Sequence, residues 1–356
     1  GELTPRTKDS FYSYGELLSS RIVAAVLNEE GIEAQWIDTK EFMITDENFN
    51  SAMPRMEIVS ERLPAIVDPL IKKRIVPVTQ GFIGSTPSGR RTTMGRESSD
   101  YSAAVIGAVV NADDIEIWTD VDGVLSADPR VVGSPLKVKV LTFDEAYELS
   151  FFGAKVLHPN TMLPAIEKNI PIHVYNSRRP ERSGTSVMPA TSAAVASSRP
   201  VVKSVAYKKN IVVISVKPSK RFSQFIFWEH LTSILTKHGV EVSLSASSEY
   251  NIVFAFDRKY YTESIMHEMS NLGLVEVLTG KAILCLVGMN IQSDHELLKK
   301  LFASIEPAAA SMVSFGATSS SVSLVVDEEH VLDAVKRLHS AFFPANTRNE
   351  IFESLG

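Results

Sequence analysis

Apolar residues near the start of the chain recur at helical spacing and predict an amphipathic helix over residues 11–30. Gly31 follows at the position where a glycine commonly ends a helix. The residues that define the apolar side of this helix are Phe11, Tyr14, Leu17, Leu18, Ile22, Ala25 and Val26. In an amphipathic helix such a side ordinarily faces the protein interior.

Apolar runs and helical patterns then alternate as far as residue 177. The predicted strands cover residues 34–37, 115–119 and 171–176, and residues 75–84 are predicted as a buried strand that runs into a glycine turn. The predicted helices cover residues 56–73, 100–111, 143–152 and 159–168. We expect Pro64 and Pro69 to break or kink the helix over residues 56–73. The alternation favours an α/β fold, in which a layered sheet carries helices on both faces.

The composition changes abruptly at residue 180, where a stretch rich in Ser, Ala, Thr, Pro and Arg begins. This stretch has no periodicity and predicts a linker or a loosely packed crossing between domains. We therefore expect a first domain over residues 1–180, a linker over residues 181–200 and a C-terminal part over residues 201–356.

The C-terminal part contains one pattern twice. Its predicted strands cover residues 211–216, 240–245, 251–256, 282–287, 310–315 and 321–326, and its predicted helices cover residues 225–238, 261–272, 295–305 and 329–342. The two halves align when Asp257 is set against Asp327, since each ends an apolar strand just before a helix. The pattern predicts two α+β modules of the βαββαβ type, which more often sense ligands or dimerise than catalyse.

Composition excludes several classes of function. Hydrophobic residues make up 44% and charged residues 22% of the chain, and the net charge is -6 without a basic tract, which argues against nucleic acid as a partner. The single cysteine, Cys285, lies in an apolar run and is typical of a core thiol. The eight histidines show no metal-ligand spacing, and no apolar run reaches membrane-spanning length. We expect a protein that ligates no transition metal, binds no membrane and is cytoplasmic, with an organelle whose targeting segment is not shown as the alternative location.

Residues 92–104 combine one glycine, a cation, several hydroxyls and Asp100 immediately before a run of small and apolar residues. The pattern is that of a loop opening a buried helix, whose N-terminus favours an anion such as a phosphate or a carboxylate. From these residues alone, a capped core helix with a surface arginine fits as well. Likewise, Glu16 also fits a solvated helix face, and Asp120 with Asp122 also fit ordinary turn acids.

Four motifs together resemble the aspartokinases, in the order and at the spacing of that family. They are the segments 14–19 (YGELLS), 93–104 (TMGRESSDYSAA), 118–130 (WTDVDGVLSADPR) and 152–159 (FGAKVLHP). The resemblance implies an amino-acid kinase fold followed by paired ACT modules. It also implies that ATP phosphorylates the β-carboxylate of L-aspartate to 4-phospho-L-aspartate, the first step of lysine, threonine and methionine biosynthesis.

The resemblance also implies a site. On the aspartate side, Arg96 is implied for the α-carboxylate and Glu16 and Asp100 for the ammonium group, with Ser99 beside them. The residues implied on the ATP side are Thr119, Asp120, Arg130, Lys155 and Val156. Lys155 and Asp100 are the implied catalytic residues, and Mg²⁺ is the expected companion of ATP.

Three departures from the family pattern carry expectations. The opening strand and its Lys-Phe-Gly-Gly loop have no counterpart, so we expect a polypeptide of residues 1–356 not to phosphorylate aspartate by itself. Glu97 and Ser98 stand where the family usually has two glycines. Ser243 stands where an aspartate is usual in the first ACT module, which predicts weak or absent lysine feedback, with threonine or no effector as the alternatives.

The main interpretation is thus an aspartate kinase whose ACT modules pair into a homodimer. The alternative is a catalytically silent regulatory subunit that binds an amino acid. Another carboxylate kinase of the same fold agrees less well with the set of four motifs.

Overall fold

The computed structural model describes residues 3–96, 98–152, 159–192, 201–219, 223–306, 308–344 and 351–354. In chain order its α-helices are α1 (Pro5–Glu29), α2 (Met56–Lys72), α3 (Ser98–Val110), α4 (Phe143–Phe151), α5 (Pro159–Glu167), α6 (Gln224–Lys237), α7 (Glu263–Ser270), α8 (His295–Ser304) and α9 (Val331–Phe342). Across these described ranges, no helix has the length and hydropathy needed to cross a membrane.

The strands are short in the first half of the chain and include two very long ones in the second half. They are β1 (Ala34–Trp36), β2 (Val76–Val78), β3 (Ile83–Ser85), β4 (Arg91–Thr93), β5 (Ile115–Thr119), β6 (Leu136–Val138), β7 (Val140–Thr142), β8 (Ile172–Asn176), β9 (Thr185–Met188), β10 (Val201–Pro218), β11 (Val242–Ser248), β12 (Asn251–Asp257), β13 (Gly273–Met289), β14 (Met312–Phe315), β15 (Ser321–Asp327) and β16 (Phe352–Ser354). The mixture of helices and strands confirms the predicted α/β class.

The chain divides into two compact units. The first contains residues 1–122, 140–143 and 156–195, and the second contains residues 123–139, 144–155 and 196–356. The boundaries at residues 180 and 200 stay a prediction. Part of the predicted linker is nevertheless a strand, because β9 pairs in parallel with β7 and antiparallel with β8.

The described residues of the first unit form three small sheets. One has the strand order β5-β8-β9-β7, and the other two are the parallel pair β1-β2 and the antiparallel pair β3-β4. Helix α2 buries Val59, Leu63 and Val67 in a core that also contains Val105 of α3. Pro64 and Pro69 lie inside α2 without ending it, contrary to the predicted break. Residues 75–84, predicted as a buried strand that runs into a glycine turn, contain β2 and the start of a separate strand, β3. The predicted burial is wrong for β2, which is exposed at Val76 and half-buried at Pro77 and Val78.

Helix α1 has its predicted C-terminus but faces the opposite way from the simple expectation. Gly31 has φ +80° and follows the helix as predicted. The buried residues of α1 are Asp9, Ser13, Ser20 and Ala24, whereas Phe11, Tyr14, Leu18 and Ile22 are each more than half exposed. The polar stripe of this helix, rather than its apolar stripe, contacts the rest of the unit.

The second unit is organised around one antiparallel sheet with the strand order β11-β12-β10-β13-β15-β14. Its first half is a βαββαβ module made of residues 211–218 of β10, then α6, β11, β12 and α7, and finally the first part of β13. The core of this module includes Val212, Phe227, Leu231, Phe254 and Ile265.

The second module shares the two long strands with the first. It begins with residues 281–289 of β13, continues through α8, β14, β15 and α9, and takes its outer strand from residues 201–208 of β10. The sequence predicted two modules that follow one another in the chain. They do not, because the last strand of the second module precedes the first module. Asp257 and Asp327 do occupy matching positions, each at the end of a strand and before a short 3-10 turn.

The sheet of the second module is buried on both faces. Residues 282–287 of β13 are all wholly buried, and this run includes Cys285, as predicted for a core thiol. Helix α9 contacts β10 and β13. Helix α4 also reaches this sheet through hydrogen bonds from Lys203 to Glu145 and from Ser321 to Glu148.

Candidate active site

Asp9 fixes the N-terminal part of α1 on strand β4. Its carboxylate is wholly buried and accepts hydrogen bonds from the backbone N–H groups of Thr93 and Asn50, both at 2.9 Å, and from the Thr93 hydroxyl at 2.7 Å. Three donors on one buried carboxylate satisfy its need for hydrogen bonds in the absence of water. The chain that continues from β4 into Met94 and Gly95 thus starts from a fixed position beside α1.

Ser20 makes a second attachment about three turns further along α1. Its hydroxyl oxygen accepts hydrogen bonds from the Gln80 amide at 2.9 Å and from the Trp36 indole N–H at 3.0 Å. Gln80 is itself buried, and its carbonyl oxygen accepts from the backbone N–H and the hydroxyl of Thr39, both at 3.0 Å. This network holds the segment that precedes Gly81.

Gly81 brings that segment against the first turn of α3. A Cβ at this position would lie 3.1 Å from the Cα of Ser99, which is an unusually tight contact, so glycine favours the close approach. The backbone N–H of Phe82 then donates to the Ser102 hydroxyl at 2.9 Å. The start of α3 is thereby attached to the residues that Ser20 and Gln80 position.

These attachments collect the predicted aspartate-side residues on connected segments. Glu16 is half-buried and lies between Asp9 and Ser20 on α1, at the spacing that places all three on one side of the helix. Arg96 is exposed just after β4, Ser99 is exposed in the first turn of α3, and Asp100 follows it there, partly exposed. Arg96 and Asp100 lie at the start of α3, and Glu16 lies on α1. One cation and two carboxylates suit a small zwitterion that carries an extra carboxylate.

Ser98 closes the loop before α3. It is buried, and its hydroxyl donates to the carbonyl oxygen of Gly95 at 2.7 Å, while Gly95 has φ +93°. Its side chain thus fills a structural position in the loop rather than one that only glycine could occupy. Glu97 lies outside the described residues.

The predicted nucleotide-side residues Thr119 and Asp120 lie at the carboxyl end of β5. Strand β8 runs parallel to β5, with Asn176 opposite Thr119. The backbone N–H and hydroxyl of Ser177 both donate to the carbonyl oxygen of Thr119, at 2.8 and 2.9 Å. Asp120 is exposed. In open α/β folds, ligands bind beyond the carboxyl ends of parallel strands, and Thr119 and Asp120 occupy such an edge.

Arg130 belongs to the second unit and forms an ion pair with Asp128. Its guanidinium binds the Asp128 carboxylate in a bidentate manner, with distances of 3.0 Å from Nε to Oδ1 and 2.7 Å from Nη2 to Oδ2. The Tyr207 hydroxyl donates to the same carboxylate at 3.2 Å. The hydrogen bond from Arg130 holds the pKa of Asp128 below its usual value. Lys155 and Val156 lie outside the described residues.

The anchoring residues Asp9, Ser20 and Gln80 were missed from sequence. The signal that could have found them is the spacing of Asp9, Ser13, Glu16 and Ser20, which form a polar stripe opposite the apolar one. Apolar periodicity alone cannot identify a buried carboxylate or hydroxyl on a helix, because the argument from periodicity assumes that the polar side of the helix faces solvent.

The fold and this arrangement of charges define an amino-acid kinase with ACT modules. The model of the amino acid kinase family matches residues 2–176, and that of the ACT domain matches residues 284–342. Lysine-sensitive aspartokinase 3 of Escherichia coli is 33% identical over 96% of this chain and 76% of its own length. The chloroplastic aspartokinase 3 of Arabidopsis thaliana is 34% identical over 99% of this chain and 64% of its own length.

Two solved structures of E. coli aspartokinase III are similar to the chain at 33% identity, over 96% of this chain and 76% of theirs. The complex with aspartate and ADP, in the R-state, has a TM-score of 0.83, and the complex with lysine and aspartate, in the T-state, has a TM-score of 0.75. The chain belongs to the aspartokinase family. It spans about three quarters of the bacterial relative and less than two thirds of the plant one.

Proposed function

We propose that the protein is an aspartate kinase, which transfers the γ-phosphoryl group of ATP to the β-carboxylate of L-aspartate. The observation that carries the proposal is the joining of Glu16, Arg96 and Asp100 on segments that Asp9, Ser20 and Gln80 hold together. Membership of the aspartokinase family supports the proposal, as does the similarity to a structure described as containing aspartate and ADP.

The proposed roles follow from charge. Arg96 binds the α-carboxylate, Glu16 and Asp100 bind the ammonium group, and Ser99 donates a hydrogen bond beside them. A β-carboxylate oxygen then forms a bond to the γ-phosphorus, while the bond from that phosphorus to the β,γ-bridging oxygen breaks and ADP leaves. The reaction depends on positioning and charge neutralisation more than on covalent participation by the protein. Asp100 therefore acts by holding the acceptor in place.

Thr119 and Asp120 hold the nucleotide at the carboxyl end of β5. We assign Arg130, Lys155 and Val156 to the same ligand, and Lys155 to charge neutralisation on the phosphates. Mg²⁺, which neutralises charge on the phosphates when bound, is usually held by one or two carboxylates together with substrate phosphates. Asp120 is an exposed carboxylate at the nucleotide edge and fits that requirement.

Aspartate-dependent ADP formation by the full-length protein tests the proposal, with hydroxylamine present to trap the acyl phosphate. We expect turnover with L-aspartate, and we expect Arg96→Gln to lower kcat/KM for aspartate by about a hundredfold, because a charge-assisted bidentate contact is lost. Arg90→Gln is the matched control, since Arg90 is an exposed arginine just before β4.

The result that contradicts the kinase proposal is amino-acid binding without ADP formation by the full-length protein. That result is the one expected of a catalytically silent regulatory subunit. Equal effects of the Arg96 and Arg90 substitutions would remove Arg96 from the site.

The ACT modules are proposed to bind an amino-acid effector and to pair in a homodimer. Ser243, at the start of β11, is buried, and the ammonium group of Lys208 lies 3.5 Å from its hydroxyl oxygen. A fixed cation beside Ser243, where the family usually has an acid, repels the cationic side chain of lysine. We therefore propose that lysine is a weak effector or none, and that threonine is the better candidate.

Titration calorimetry with L-lysine and L-threonine tests this effector proposal. We expect threonine to bind more tightly than lysine to the wild-type protein. We expect Ser243→Asp to strengthen lysine binding by about tenfold, because it adds a carboxylate next to Lys208. Submicromolar binding of lysine by the wild-type protein would contradict the proposal.

A further inference from the structure

Asp122 lies in the turn just after β5, and its carboxylate accepts hydrogen bonds from three side chains. Its Oδ1 accepts a hydrogen bond from the Asn176 amide at 2.6 Å, and its Oδ2 accepts from Arg179 at 3.1 Å and from Arg182 at 3.3 Å. The Asp122 side chain is only 14% exposed, although it sits at the edge where Thr119 and Asp120 end the strand. One donor at the end of β8 and two donors from the loop that follows it thus meet on a single carboxylate.

Asn176 connects this carboxylate to the next strand. It is buried at the end of β8, directly opposite Thr119 in the parallel register. While its amide nitrogen donates to Asp122, its carbonyl oxygen accepts from the backbone N–H of Arg178 at 2.9 Å. Together with the bonds from Ser177 to Thr119, these contacts join the two strand ends through both backbone and side chains.

The ion pairs of Arg179 and Arg182 with Asp122 lie beside the residues that end strand β5. Arg179 is 53% exposed and Arg182 is 34% exposed, and both reach Asp122 at the carboxyl edge of the parallel strands. Exposed ion pairs add little to folding stability. Their arrangement therefore matters more for the shape and charge of this edge than for the stability of the fold.

We propose that Asp122 is a positioning residue for the nucleotide. It holds the turn that carries Thr119 and Asp120 at a fixed distance from the loop after β8, and it keeps the guanidinium groups of Arg179 and Arg182 together despite their like charge. The inference rests on the proposed kinase function, because it assigns the nucleotide to this edge.

Replacement of Asp122 by asparagine in the full-length protein tests the inference, because the variant keeps the shape of the side chain and removes its charge. We expect KM for ATP to rise about tenfold while KM for aspartate changes by less than about twofold, since a small misplacement of a binding group is costly in rate. We expect the melting temperature to fall by less than about 3 °C. Asp113→Asn is the matched control, an exposed aspartate before the opposite end of β5.

The inference is overturned if the Asp122→Asn protein has the same KM for ATP as the wild-type or the Asp113→Asn protein. It is also overturned if the KM for ATP and the KM for aspartate rise equally in Asp122→Asn. Calorimetric binding of ADP to the wild-type and Asp122→Asn proteins separates this inference from the kinase proposal. If the wild-type protein shows no turnover, the kinase proposal fails, whereas a tenfold loss of ADP affinity in Asp122→Asn still supports the role of Asp122. Equal ADP affinities, or no ADP binding by either protein, overturn that role.

Discussion

Glu148 is a half-buried carboxyl group whose ionisation opposes folding. It lies on α4, and its Oε2 accepts a hydrogen bond from the Ser321 hydroxyl at 2.9 Å. Burial raises the pKa of Glu148 above its usual value, and the hydrogen bonds from Ser321 and Thr318 offset only part of this effect. The folded protein therefore favours the protonated form of this residue.

This shift makes a prediction about pH. Because the folded-state pKa is the higher one, the folded protein binds more protons than the unfolded protein as the pH rises from the usual glutamate pKa through the raised value. Stability is therefore lost over that window, and it stays lower at neutral pH. We expect Glu148→Gln to remove the loss, so that the variant gains stability relative to the wild type as the pH rises from 4 to 7.

Chemical denaturation at several pH values measures this difference. Glu229→Gln is the control, since Glu229 is exposed on α6 and its substitution should give a pH-independent difference close to zero. A Glu148→Gln variant whose stability relative to the wild type falls as the pH rises would contradict the prediction.

A sequence motif can propose single residues of the candidate site. Glu16, Arg96 and Asp100 are proposed because their motifs keep the family's order and spacing, and their roles in binding stay a prediction. Asp9 and Gln80 were not found, because each works through a partner distant in the chain, 84 residues away for Asp9 and Thr93 and 41 for Gln80 and Thr39. Neither partner is visible in local periodicity.

At the scale of elements, β10 and α4 are joined by a buried ion pair. The ammonium group of Lys203 lies 2.6 Å from Oε2 of Glu145, and the two side chains are 2% and 0% exposed. Lys203 is skipped in the register between β10 and β13, where Val202 pairs with Gly288 and Ser204 with Val287. Such a bulge re-aims a side chain, and here the side chain points to α4.

We expect Lys203→Met to destabilise the protein by about 3–5 kcal/mol, because it leaves the Glu145 carboxylate buried without its counter-charge. The double variant Lys203→Met, Glu145→Gln should recover most of that loss, since neither member of this pair then carries a charge. Denaturant unfolding followed by circular dichroism measures both variants.

Lys217→Met provides the control for this pair. Lys217 lies in the same strand and is 3.8 Å from Glu276, but both side chains are more than half exposed, so its loss should cost less than about 1 kcal/mol. If Lys203→Met and Lys217→Met are equally stable, or if the double variant is as unstable as Lys203→Met, the buried pair does not contribute as described.

Helix α1 shows what periodicity can and cannot predict about an element. The pattern of apolar residues predicted the helix and its end at Gly31, because both depend on local geometry. The side of a helix that faces the rest of the unit depends on the elements that pack against it. Around α1 these elements supply hydrogen-bond donors from Thr93, Trp36 and Gln80. A sequence pattern contains no information about those donors.

At the scale of the whole molecule, the α/β class and the duplicated C-terminal pattern were predictable, but the connection between the duplicates was not. The missing pieces are residues 201–208 and 273–280, which the structure shows as parts of β10 and β13. Polar residues interrupt both segments, as in Val205-Ala206-Tyr207-Lys208 and Val275-Glu276-Val277. Residues 201–208 pair with residues 283–289, and residues 273–278 pair with residues 213–218. Their strand character therefore comes from long-range pairing across the sheet.

The shared strands also define how the regulatory region can be divided. Ile211 is paired with Lys281, so the first module leaves and rejoins the second at neighbouring positions of one sheet. The first module is thus an insertion nested inside the second, and cutting the chain once between residues 201 and 289 isolates neither of them intact. An exchange of effector specificity between relatives should therefore transplant residues 211–281 as one continuous block, whose two ends already lie side by side in the recipient.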